Sequence, residues 1–175
     1  MSPADIFRIH LVLGYVAWAL CFGAYLWPRL RAMGGIAAQR AIATLHSFRF
    51  FGLVFILPGV VGPGLPDGFA ADAAYGDFAT GLLAMLALMT VRLPRLFWPL
   101  VVAFNLAGMA DIAVDYYHGI AGGLALQAGQ LGAAYVIPIL YVPLLVITHL
   151  AAFYLLVRPR LRAARAGAAS GGAAA

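Results

Sequence analysis

Five apolar runs, at residues 6–27, 41–61, 73–91, 96–117 and 131–157, constrain this chain more than anything else in it. Each is close to the about 20 residues that carry a helix across a hydrocarbon core. The sequence therefore predicts an all-α integral membrane protein, a bundle of five transmembrane helices forming one domain over residues 1–166. Composition agrees: 65% of the residues are hydrophobic and 10% charged, against about 45–50% and about 25% in soluble domains. The first run exceeds the h-region of a signal peptide and reads as a retained span. Residues 167–175 are Ala, Gly and Ser only, and a disordered tail is expected there.

The breaks between runs carry turn chemistry. Pro28 and Gly34-Gly35 end the first, and Pro63 to Gly68 must be loop. Arg92-Leu93-Pro94-Arg95 is tight enough to make the third and fourth spans antiparallel neighbours. Gly119 to Gly132 reads as a Gly-rich connector. Pro58, Pro138 and Pro143 fall within predicted spans, where each frees a carbonyl one turn earlier.

Charge sets the orientation. The eleven cationic residues are all Arg, the six anionic ones all Asp. Arg29, Arg31, Arg40 and Arg49 flank the first connection, Arg92 and Arg95 form the third, and Arg158, Arg160, Arg162 and Arg165 follow the last span. The positive-inside rule puts these three regions in the cytoplasm. The N-terminus is then outside, the C-terminus inside, and the location an inner (plasma) membrane. All six Asp fall toward the outer side. Basic residues in these places are topology signals, so nucleic acid is excluded as a partner. The single cysteine, Cys21, reads as a small buried hydrophobe.

Function has to come from polar groups at membrane depth, because an intramembrane ionisable residue is expensive and needs a reason. On a helix, Phe104, Gly108, Asp111, Asp115 and His118 share one stripe. Arg8 and His10 lie at a matching depth on the first span, so an ion pair of Arg8 with Asp111 or Asp115 is expected. On the second span, a 3.6-residue period groups His46 and Arg49 with Phe50, Leu53 and Leu57. His149 on the last span matches Arg49 in depth. Arg49 either snorkels to cytoplasmic headgroups or meets a bound anion, since no Asp is predicted at its level. Asn105 lies mid-membrane, and Tyr141 is placed to line a pocket.

His10, Trp18 and Tyr25-Leu26 followed by Pro28-Arg29-Leu30 resemble the first helix of the HemJ-type protoporphyrinogen oxidases, small haem-binding membrane proteins. The resemblance covers about a seventh of the chain. This sequence has no lysine, on which that family relies, so the activity is not carried over.

Three functional classes fit these residues. The first is binding or transport of a small molecule or ion by Arg8, His10, His46, Arg49, Asn105, Asp111, Asp115, Tyr141 and His149; five helices make a thin transporter, which favours a homodimer. The second is a haem oxidoreductase, with His46 and His149 as axial ligands of one b-haem and Arg49 on a propionate. The third is a membrane-embedded lipid- or isoprenoid-modifying enzyme, with Asp111 as general acid. No metal, nucleotide or nucleophile motif is present.

Overall fold

A computed structural model describes the backbone of residues 1–66 and 68–172 and the side chains through Arg158, Asp67 excepted. The tail expected from Gly167 lies, in its side chains and in residues 173–175, outside the described residues. The described residues are all-helical, with no strand. Three helices are long and apolar enough to cross a membrane: Pro3–Ala32, Pro94–Ala121 and Ile137–Arg158.

Local chemistry starts and stops each element. α1 (Pro3–Cys21) opens with a capping box: the Ser2 hydroxyl accepts from the Asp5 amide at 3.2 Å, and the Ser2 amide donates to the Asp5 carboxylate at 3.0 Å. A π turn over Phe22–Leu26 joins it to α2 (Trp27–Ala32), which Gly34 and its neighbours end. α3 (Gly35–His46) passes without a break into a 3-10 helix over Ser47–Ile56. The loop of residues 57–68 turns at Gly59 and Gly68, both at positive φ, which glycine adopts without a Cβ clash. Pro58, expected inside the second span, therefore lies in this loop, beyond the helix.

α4 (Phe69–Met89) and α5 (Pro94–Ala121) pack side by side along their length, joined by residues 90–93. α5 runs through Tyr117, where the fourth span was predicted to end, and on to Ala121. The connector after it is more ordered than its glycines suggest. Leu124–Tyr135 forms a 3-10 segment bent at Gln127 and Gly132. Gln130 ties it to the 57–68 loop, accepting from the Gly62 amide at 2.7 Å through its carbonyl and from the Gly64 amide at 3.3 Å through its side chain. A second π turn, Ile137–Tyr141, then leads into α6 (Val142–Gly172).

The core has two apolar clusters. One gathers Ile42, Ala84, Phe97, Val101, Phe104 and Ala152. The other gathers Phe7, Phe55, Phe69, Ala73, Leu131 and Ile137. On α4 the buried Asp77 and Thr80, and on the α3–3-10 helix the buried His46 and Arg49, fall between the stretches that supply these two clusters; Asn105 of α5 and Thr148 and His149 of α6 are buried with them. The bundle thus carries a polar layer sandwiched between two apolar ones.

Candidate functional site

The polar layer is built on a three-residue period. In a 3-10 helix residues i and i+3 eclipse, so His46, Arg49, Gly52 and Phe55 stand on one face, and all four are buried. The 3.6-residue wheel put Phe50 and Leu57 with them; instead these are exposed at 43% and 57%. The longer rise of the 3-10 segment, about 2.0 Å per residue against about 1.5 Å, also carries Arg49 deeper into the bundle than an α-helix would.

Arg49 is 1% exposed and does not snorkel. Its Nε donates to Asp77 Oδ1 at 2.6 Å and its Nη2 to Asp111 Oδ2. Its Nη1 donates to the Gly108 carbonyl and to His149 Nε2, both at 3.3 Å. Four of five guanidinium hydrogens are thereby used. The anion expected from outside the chain is thus supplied from within it, by two carboxylates at the same depth. The expected pair of Arg8 with Asp111 or Asp115 does not form. Asp111 is held by Arg49, and Arg8 is exposed at the rim.

The network continues along α5 and α6. An arginine only donates, so His149 Nε2 accepts and its Nδ1 carries the hydrogen, which goes to Asn105 Oδ1 at 2.9 Å. Asn105 Nδ2 in turn donates to the Val101 carbonyl at 2.8 Å. Thr148 Oγ1 donates its one hydrogen to the Leu144 or Leu145 carbonyl, at 2.8 and 3.0 Å, and so accepts from His46 Nε2 at 3.0 Å. Tyr141 donates to the Leu45 carbonyl at 3.4 Å, beside this layer.

Glycines make the room. A Cβ on Gly52 would strike the Asp77 carboxyl, one on Gly76 the Asp111 carboxyl, and one on Gly108 would lie 2.5 Å from His149 Nε2 and 2.6 Å from Arg49 Nη1. Each charged side chain occupies the space of a missing side chain on the facing helix.

The stripe on α5 does face inward. Phe104 and Gly108 are buried, Asp111 meets Arg49, and His118 Nδ1 lies 2.9 Å from Asp72 of α4. His10 turns elsewhere, its Nδ1 3.0 Å from the Tyr135 hydroxyl. The face of α1 that carries Gly14 and Trp18 lies against the second π turn: a Cβ on Gly14 would strike the Ile139 carbonyl, and Trp18 Nε1 donates to the Leu140 carbonyl at 2.8 Å. Asp77, 5% exposed, is the site residue that the sequence reading left on the outer surface. Its signal was weak: Asp77 is the fifth residue of the 73–91 run and follows closely on Asp72.

A b-haem does not fit between His46 and His149. Bis-imidazole ligation places the iron and the porphyrin plane between the two rings. These rings are in contact, with centroids 4.0 Å apart, and their Nε2 atoms are engaged by Thr148 and Arg49. His10 and His118 go to separate partners, Tyr135 and Asp72. No group of three or more His, Cys or Asp side chains suited to a metal ion occurs among the described residues.

Above the polar layer is a cavity of about 510 Å³. Phe7, Leu11, Phe55, Phe69, Leu124 and Ile137 give it apolar walls, and Arg49, Asp77 and Asp115 are the polar groups set into them, with Arg8 at the rim. Asp115 Oδ1 is buried and has no hydrogen-bond partner among the described residues.

A family profile for a domain of unknown function, DUF8737, matches residues 6–157. The chain belongs to the DUF8737 family. The DUF8737 match takes in every residue of the polar layer and all the walls of the cavity. No curated protein and no solved structure matches the chain.

Proposed function

We propose that this DUF8737 protein is a multi-pass inner-membrane protein that binds or translocates a small molecule or ion through its buried polar residues. The observation that carries the reading is the cavity with apolar walls that ends on Arg49, Asp77 and Asp115. Ligand sites have this construction: mostly apolar lining with a few convergent polar groups. A bundle stabilised by packing alone has no use for charges at this depth.

We take the bundle as five spans. Besides the three long apolar helices, the α3–3-10 rod over 35–56 extends about 38 Å and α4 about 31 Å, both enough for a core of about 30 Å. The Arg-rich connections then share the cytoplasmic side and the cavity opens outward. Translocation through so thin a bundle would use a homodimer.

The test is retention of a ligand. Native mass spectrometry of the detergent-purified protein should show a small-molecule adduct that Ala73→Phe, which fills the cavity, removes while the variant stays helical and monodisperse. Adducts identical in the two proteins, or none in either, would count against a binding cavity.

A further inference from the structure

Resting on that binding reading, we infer that the cavity takes a lipophilic cation: an apolar molecule carrying one positive charge, with its charged head at Asp77 and Asp115. The inference starts from the balance of groups. One buried guanidinium, that of Arg49, faces the carboxyl groups of Asp77 and Asp111, and Asp115 stands one turn beyond on α5. Arg49 is already committed to two carboxylates, a carbonyl and an imidazole, so it has little left to offer an anion. Arg8 is exposed, where water and salt screen its charge.

The carboxyl groups, by contrast, have acceptor capacity to spare toward the cavity. Asp77 is 5% exposed and lines it, yet only its Oδ1 has a partner among the described residues. Asp115 also lines it, with a buried Oδ1 that meets no donor. A buried acceptor without a donor costs free energy until something supplies one. The walls add to the preference. Phe7, Phe55, Phe69 and Tyr116 surround the cavity, and aromatic faces attract cations. An anion would meet unpartnered carboxyl oxygens and aromatic faces together. A strongly hydrated metal ion would gain nothing from such walls.

The probes are tetraphenylphosphonium and tetraphenylborate, matched in shape and opposite in charge. Equilibrium dialysis of the whole detergent-purified protein, one probe at a time, should show saturable binding of the phosphonium and none of the borate. Asp115 has no hydrogen-bond partner among the described residues, so Asp115→Asn should stay folded and weaken the phosphonium tenfold or more. Asp77→Asn should do the same if it remains monodisperse. Saturable phosphonium binding that Asp115→Asn leaves unchanged, or equal saturable binding of the borate, would overturn the cation assignment and leave the cavity standing. Saturable binding of neither probe, together with no native adduct, would overturn the cavity reading as well.

Discussion

Arg49 holds two carboxylates from two other helices, and its worth lies in what remains when it is removed. Losing one partner of a buried ion pair leaves the other charged and unsolvated, at a cost of about 3–5 kcal/mol. Arg49→Met should therefore lower thermal stability in detergent strongly, and Arg49→Lys should recover only part of it, because an ammonium does not reach Asp77, Asp111, Gly108 and His149 together. Asp115→Asn removes a carboxyl with an unpartnered oxygen and should change stability by less than about 1 kcal/mol. The pair of variants separates structure from binding: the first is read by melting temperature, the second by ligand. At this scale the sequence was half legible. Asp111, Asn105, His46, Arg49 and His149 stand out as polar residues within apolar runs, and the structure joins them. Which of them pair was not legible, because pairing depends on helix register and on Asp77, whose neighbours Asp72 and Asp67 made it look like part of an acidic outer end.

At the scale of elements, the 3-10 segment over Ser47–Ile56 decides the site. Ten residues is long for such a helix, which rarely exceeds about three or four, and its single buried face is held by contact with α4. Gly52 is the contact point. Gly52→Ala would drive a methyl into the Asp77 carboxyl and should cost about 1–3 kcal/mol, as overpacking does. Gly23→Ala, with nothing within 4 Å of the added carbon, is the matching control and should be silent by thermal melting. Periodicity could not disclose this segment, because a run this apolar is compatible with periods of both 3.0 and 3.6. The spacing His46, Arg49, Gly52, Phe55 was the signal, visible only once a three-residue repeat is considered. The cap formed by 57–68 and Leu124–Tyr135 was hidden for a related reason: its order comes from Gln130 bonding across 66 residues of chain to Gly64, which no local pattern records.

At the scale of the molecule, the arrangement is apolar layer, polar layer, apolar layer, with a cavity leading from one end to the middle. The apolar runs announced the all-helical bundle; the cavity depends on how α1, α4, α5 and the capping segments lean on one another, and no single run encodes that. If the proposed topology holds, the cavity faces outside. The most direct test is cysteine accessibility in a Cys21→Ala background, using a membrane-impermeant maleimide on right-side-out and inside-out vesicles. Asp115→Cys, in the cavity, should label in right-side-out vesicles only, and Ala84→Cys, buried in the far apolar cluster, in neither. Failure of Asp115→Cys to label from outside, or labelling from the cytoplasmic face alone, would contradict an outward-opening cavity set over a buried ion network.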